Sequence, residues 1–254
     1  ASQDAASAAS RMNFVGAAFG GDHRFLDTLR LGGFFGLADS RTDTDGDSSL
    51  KSKWYYAGLY GSWSPGAAFV EGNVTGGYAK NRSERMVTNG LATETAIGEY
   101  GSTFVSPELA LGYRVALQPG VSLTPQLRVR YLGVDAEGYG ETGSSADMTV
   151  SSHYTGFLEE RALAKLQFDN ERWGLFTTLS VVALQRVQGS GTDVSLLGIA
   201  STVPEGDTNL FGVSFSLGGN WKMTDSVSLY GAVNGTVLNN NASIDTNVGV
   251  KMVF

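Results

Sequence analysis

The chain has 254 residues, a net charge of −7, 42% hydrophobic and 17% charged residues, and no cysteine. The negative balance argues against a nucleic-acid partner, and the missing cysteines exclude a disulfide framework and a thiolate metal site. The 34 glycines against 5 prolines, with 10 tyrosines, 13 phenylalanines and 4 tryptophans, favour many close-packed strands and turns over helices or disorder. No apolar run approaches the roughly 18 residues of a transmembrane helix; Leu179 to Leu184 is broken at once by Gln185 and Arg186. A membrane form of this chain is therefore a barrel. No Pro-rich or Ser-rich linker divides it, so one β domain is the simpler reading, and Ala1 onward lacks the basic start and apolar core of a signal peptide.

Residues 1–10 are small and polar and read as a linker, a lumenal segment or the remnant of a first strand; residues 11–254 read as the barrel. Arg11 to Gly20 reads as a strand whose two faces Gly16 and the alanine pair blur. Leu29, Leu31, Phe35 and Leu37 then alternate with Arg30, Gly32, Phe34 and Gly36, the period of two that marks a strand. A polar loop is expected from Asp39 to Lys53. Tyr55, Ala57, Leu59 and Trp63 alternate with Tyr56, Gly58, Tyr60 and Ser62 up to a Ser64-Pro65-Gly66 turn, and Ala68, Val70, Val74 and Tyr78 oppose Phe69, Glu71, Asn73 and Thr75 on the way back. A long polar loop is expected from Asn81 to Ser102.

The middle of the chain repeats this pattern. Leu109, Leu111, Tyr113, Val115 and Leu117 oppose Glu108, Ala110, Gly112, Arg114 and Ala116 up to a Gln118-Pro119-Gly120 turn; Val121, Leu123, Leu127, Val129 and Tyr131 oppose Ser122, Thr124, Gln126, Arg128 and Arg130. After an expected loop from Gly133 to Asp147, Ala162, Ala164, Leu166 and Phe168 oppose Arg161, Lys165 and Gln167, and a turn at Asp169 to Arg172 leads into Trp173 to Val187. A further loop, Gln188 to Thr208, precedes Phe211, Val213, Phe215, Leu217 and Trp221, and the strand after Met223 to Asp225 carries Val227, Leu229, Val233 and Val237 on one side. The last strand alternates Ile244, Thr246, Val248, Val250, Met252 and Phe254 with Asp245, Asn247 and Lys251. A sheet edge with one greasy face aggregates unless the sheet closes, so the last strand is expected to pair with the first.

Tight turns alternate with connections that are mostly much longer, the pattern of outer-membrane barrels. Charged side chains mostly take the parity of Gly and Ser, while the other parity carries Leu, Val, Phe, Tyr and Trp. A charge turned to lipid at mid-depth costs about 2 to 4 kcal/mol, so the small and charged parity is assigned to a watery lumen. Tyr55, Trp63, Tyr113, Trp173 and Trp221 fall near strand ends, where an interfacial aromatic girdle belongs. A soluble lipocalin-like barrel would not show such lopsided connections. The candidate lumen-lining charges are Glu71, Glu108, Arg114, Arg128, Arg130, Glu159, Arg161 and Lys165. Acid and base can pair across the lumen, either holding a traversing segment or simply stiffening the wall.

The runs SPELALGYRVALQPGVSLTPQLRVRYLG (Ser106 to Gly133) and LFGVSFSLGGNWKMTDSVSLYGAV (Leu210 to Val233), the closing NVGVKMVF (Asn247 to Phe254) and the hairpin YYAGLYGSWSPGAAFVEG resemble the carboxyl-terminal translocator domain of the autotransporters of Gram-negative bacteria. The likeness covers the chain from about residue 11. The resemblance implies a closed, antiparallel, all-β transmembrane barrel of twelve strands in the outer membrane, surrounded by outer-membrane lipids and monomeric. It implies insertion by the barrel assembly machinery, which reads the last strand (here Val248, Val250, Met252 and Phe254), and export of an amino-terminal passenger polypeptide, often with a helix left in the lumen. One departure stands out: counting back from Phe254 gives ten strands and an eleventh at Arg11 to Gly20, and an odd count is abnormal for a bacterial barrel. Either a first strand comes from or ahead of Ala1 to Ser10, or the segment before Leu29 is a lumenal helix.

Other chemistry finds weaker support. His153 stands near Ser151, Ser152, Glu159 and Glu160, and His23 falls in an expected turn; a nucleophile, base and orienter on one strand do not make a catalytic site. The Asp43-Thr44-Asp45-Gly46-Asp47 run lacks the downstream glutamate and glycine offset of a calcium loop. No cofactor or metal is expected. The leading function is surface display and export of a passenger; the alternatives are a free-standing outer-membrane pore or loop-presenting adhesin, and an outer-membrane hydrolase centred on His153.

Overall fold

The computed structural model describes residues 10–44, 48–90, 92–189, 191–203, 209–239 and 241–252. The strands are β1 (Ser10–Leu26), β2 (Leu29–Thr44), β3 (Ser48–Trp63), β4 (Ala68–Asn89), β5 (Ala92–Tyr113), β6 (Val115–Gln118), β7 (Val121–Ala136) and β8 (Tyr139–Gly140). There follow β9 (Met148–Val150), β10 (His153–Asp169), β11 (Trp173–Gln188), β12 (Thr192–Leu196), β13 (Ile199–Val203), β14 (Asn209–Lys222), β15 (Val227–Leu238) and β16 (Asn241–Met252). The main sheet has the order β1-β2-β3-β4-β5-β7-β10-β11-β14-β15-β16, and β6 carries β5 onward beside β7. Each pairing in it is antiparallel and joins strands that follow one another along its wall.

The lower end of the sheet is made of short turns with legible chemistry. Gly66 (φ 86°) and Gly120 (φ 76°) each follow a proline, which pre-sets one central position while the left-handed one falls to glycine. Asn170 Oδ1 accepts the backbone N–H groups of Arg172 and Trp173 at 2.8 Å each, and Thr224 Oγ1 accepts those of Ser226 and Val227. Side chains thus close these turns where ladder bonds run out.

The upper end differs from the expected loops. Residues 81–102 are not a loop: β4 and β5 stay paired from Ala68↔Tyr113 to Asn89↔Ala92. The stretch Asp39 to Lys53 is likewise strand, with Asp39↔Lys53 and Arg41↔Lys51 paired across β2 and β3. The two later connections fold into a separate four-stranded sheet, β13-β12-β9-β8. At the upper end of β3 to β5 ion pairs across the strands compensate for absent burial: Lys51 Nζ donates to Glu84 Oε1 at 3.1 Å and Arg82 Nη1 to Glu99 Oε1 at 2.6 Å, while Arg82 Nε also reaches Glu84 Oε1 on its own strand at 3.0 Å.

The segment Arg11 to Gly20 lies inside β1, which pairs with β2 from Ser10↔Thr44 to Leu26↔Leu29 and is not a lumenal helix. His23 belongs to this strand, not to a turn, with its ring 5.0 Å from that of Phe25. Among the described residues no pairing joins β1 to β16, and the antiparallel path between them leaves both running downward, parallel to one another. Of the expected strand from Leu109 to Leu117, β5 stops at Tyr113 and β6 starts at Val115. The ladder between them and β7 passes from Gly112↔Gln126 to Val115↔Leu123. Pro125, which has no N–H to donate, stands in that gap.

Candidate functional site

Strand parity sorts the side chains onto two faces. On one, Leu59 (67% exposed), Leu127 (62%), Leu179 (64%) and Val248 (78%) form a bare apolar belt around the sheet. A soluble barrel buries such residues; a belt of this extent faces lipid. Trp173 pairs directly with Trp221 near the turn end, and Tyr55 with Tyr78 eight positions above Trp63. Tyr55 therefore belongs to the upper edge of the belt and Trp63 to the lower one.

The other face is concave, because one cavity of about 560 Å³ is lined from β4 round to β16, from Phe69 and Glu71 to Asp245. Glu71, Arg114, Arg128, Arg130, Arg161 and Lys165 all line it. Glu108 and Glu159 join this face through ion pairs: Arg128 Nη1 to Glu108 Oε1 at 3.3 Å, Arg130 Nη2 to Glu159 Oε2 at 2.8 Å, and Arg161 Nη2 to Glu159 Oε1 at 3.2 Å. Asn73 Nδ2 donates to Glu108 at 3.0 Å and Arg161 Nη1 to Ser214 Oγ at 3.4 Å. Lys165 lies over the Phe176 ring at 4.6 Å. Nε of Arg128 and of Arg161 and Nε2 of Gln126 are buried without a hydrogen-bond partner among the described residues, which leaves donor capacity directed at this face.

Sequence reading missed a second feature of the inner face. Across β2 to β5 it is aromatic, where small and charged residues were expected: Phe34 lies 6.3 Å from both Tyr56 and Tyr60, and Trp54 lies 5.8 Å from Phe104. Trp54 Nε1 donates to Ser40 Oγ at 3.0 Å and Tyr60 Oη to Asp22 Oδ2 at 3.2 Å, while Arg30 pairs with Asp22 at 3.2 Å. These rings occupy the space over glycines of the neighbouring strand; a Cβ at Gly58 would stand 2.6 Å from Phe34 Cζ, and one at Gly77 2.6 Å from Phe104 Cε1. A cavity of about 640 Å³ connects the aromatic and charged sectors, from Phe34 and Tyr60 to Glu108 and Arg130. The signal was present in the sequence as Phe34, Tyr56 and Tyr60 on the glycine parity.

Val248, Val250 and Met252 on β16 are exposed on the lipid side; Phe254 lies outside the described residues, as do Asp45, Gly46 and Asp47. His153 is half-buried, with Nδ1 3.4 Å from the Ser151 carbonyl. Glu159 is held by two arginines, whereas Glu160, of opposite parity, receives Gln185 Nε2 at 3.4 Å. His153 and these carboxylates therefore do not converge.

Above the belt the outer parts are held by their own contacts. Arg85 pairs with Glu141, whose side chain is 3% exposed, and Arg85 Nη2 also donates to the Ala146 carbonyl at 2.8 Å. The Glu141 hydrogen bond raises the Arg85 pKa above its usual value. The backbone N–H of Ser145 donates to Glu94 and holds that carboxyl below the usual carboxylate range. Tyr100 stacks on Tyr139 with centroids 4.6 Å apart.

Comparison with known proteins agrees with this geometry. The translocator domain of the autotransporter NalP from Neisseria meningitidis superposes with a TM-score of 0.83 at 17% identity, covering 96% of this chain and 81% of that one. The beta domain of the Bordetella autotransporter Brka does so with a TM-score of 0.71 at 14% identity, covering 97% and 93%. "Outer membrane protein A" of Rickettsia conorii is 25% identical over 257 residues, which takes in 93% of this chain but only 12% of that protein. The chain thus spans about an eighth of the length of this relative. The family model described as Autotransporter beta-domain matches residues 1–234. With its lipid-facing belt and polar inner face, the chain belongs to the autotransporter beta-domain family of Gram-negative outer-membrane barrels.

Proposed function

We propose that this domain is the membrane end of a longer surface protein, anchoring an amino-terminal passenger and conducting it through the lumen. The inner face carries the reading: five cations, Arg114, Arg128, Arg130, Arg161 and Lys165, line one cavity, beside an aromatic sector on β2 to β5. A segment with one acidic and one apolar side would be received by both. Glu108 and Glu159 pair with Arg128, Arg130 and Arg161, and Glu71 on the same wall offsets a further part of the charge. The domain itself is read as non-enzymatic and monomeric.

The direction of the two edge strands supports the same reading. Joining β1 directly to β16 would require a parallel pair, because both run from the upper end to the turn end. An even antiparallel barrel needs one rising strand between them. We assign that strand to chain ahead of Ser10, which would make twelve strands. Val248, Val250, Met252 and Phe254 are assigned to recognition by the barrel assembly machinery, which the exposed lipid face of β16 permits.

An immunoblot of the host outer membrane with antibody against the barrel, with and without a block of surface processing, tests the function. The expected result is a precursor much larger than the 26.8 kDa of this chain. A single species at barrel size would overturn it in favour of a free-standing pore.

A further inference from the structure

The outward face of β2 to β4 changes character at one level. On β3 the outward residues from the turn end are Trp63, Gly61, Leu59, Ala57 and Tyr55, then Lys53 and Lys51; on β4 they are Val70, Gly72, Val74, Gly76 and Tyr78, then Lys80 and Arg82. A tilted strand rises about 2.3 to 2.7 Å per residue along the membrane normal. Lys53, ten positions above Trp63, therefore stands roughly 25 Å higher, at the upper limit of the apolar band.

At that level Lys53 and Lys80 are direct cross-strand partners, an arrangement that repels unless an anion screens it. The cations around them are committed: Arg41 to Asp43 at 2.8 Å, Lys51 to Glu84 at 3.1 Å, and Arg82 to Glu84 and Glu99. Asp39 is the cross-strand neighbour of Lys53, yet neither lysine forms an ion pair among the described residues. The two lysines help to line a cavity of about 880 Å³ together with the outward-parity residues Asn13, Asp39 and Tyr78. Gly101, opposite Lys80, adds no side chain to that wall.

We infer that this outward cavity binds the phosphate of an outer-leaflet lipid, with the Lys53 and Lys80 ammonium groups donating to the phosphate oxygens and the acyl chains lying on the belt below Tyr55 and Tyr78. The inference rests on the outer-membrane reading, which sets the height of the lysines. A free phosphate offers the same oxygens but gains nothing from the belt, so the lipid is the occupant the position selects.

The test uses the full chain with its upstream sequence, refolded in detergent, as wild type and as a Lys53→Ala/Lys80→Ala variant. Both are titrated with bisphosphorylated lipid A, with the same lipid stripped of phosphate, and with inorganic phosphate, and bound lipid is read by native mass spectrometry. The wild type is expected to prefer the phosphorylated lipid by about tenfold, with no competition from equimolar inorganic phosphate. The variant is expected to lose that preference, while Arg114→Ala in the lumen keeps it. Equal binding of phosphorylated lipid by wild type and variant would overturn the inference, and so would full competition by inorganic phosphate. Heat-shifted gel mobility and insertion into vesicles are measured on the same samples. Failure of the wild type to insert would overturn the barrel reading itself, an outcome distinct from failed lipid selectivity in an inserted barrel.

Discussion

Arg130 and Glu159 stand directly opposite each other on β7 and β10, and Arg130 Nη2 meets Glu159 Oε2 at 2.8 Å. Arg161 reaches the other oxygen of the same carboxylate at 3.2 Å. One acid thus separates two cations on the inner face. Glu159→Gln is expected to raise anion over cation permeability of the reconstituted barrel at low salt, read as a shift in reversal potential under a salt gradient. The shift should fade near 1 M salt, where the Debye length falls to about 3 Å. An unchanged reversal potential at low salt would remove Glu159 from the water path.

The joint between Phe34 and Gly58 is a contact with no spare volume, since a Cβ at Gly58 would stand 2.6 Å from Phe34 Cζ. Gly58→Val should destabilise the barrel by about 1 to 3 kcal/mol, the usual result of overpacking, read as a lower midpoint in urea. Adding Phe34→Ala should recover part of that loss. A double variant no better than the additive expectation would show that the ring is not what Gly58 accommodates.

Glu141 is buried and paired with Arg85, outside the membrane-spanning part. Arg85→Met leaves that carboxylate without its cation, and the expected local cost is on the order of 2 to 3 kcal/mol, at the foot of the range for a buried pair because the arginine reaches water. Limited proteolysis should cut between residues 137 and 150 while the barrel core stays intact. Combining Arg85→Met with Glu141→Gln should restore resistance.

The same outer region is expected to loosen in acid. The Ser145 N–H holds the Glu94 carboxyl below its ordinary pKa, and the hydrogen bonds from Arg82 and Lys51 do the same for Glu84. A carboxyl depressed in the folded state contributes stability above its unfolded pKa, about 4.3, and loses it as pH falls through the folded value. Exchange of the Ser145 amide, corrected for its intrinsic rate, should therefore accelerate as the pH falls from about 4.3 to about 3. In a Glu94→Gln variant the corrected rate should be flat over that interval; a persisting pH dependence would point to another group.

Alternation was enough to find the membrane strands, because a strand with lipid on one side and water on the other writes its environment into every second residue. Leu59, Leu127 and Val248 could be assigned to the lipid face from parity alone, and so could the inward charges from Glu71 to Lys165. Pro65-Gly66 and Pro119-Gly120 announced their turns by the backbone angles they favour. The outer part carried no such record. Residues 81–102 look like a loop because both faces there meet water and polar side chains suit either one, so only the continuous ladder from Asn81↔Tyr100 to Asn89↔Ala92, with Arg82 facing Glu99 across it, makes the stretch a hairpin. The meeting of Arg85 with Glu141 joins residues 56 positions apart, a separation that no local period spans. Phe34 and Tyr56 take the inward parity in the sequence, but that their rings fill the space over Gly58 and Gly36 of the neighbouring strands is a contact only the fold makes. Local chemistry therefore fixed the strands and their faces, while contacts between distant segments decided the outer sheet, the aromatic wall of the lumen and the gap between β1 and β16.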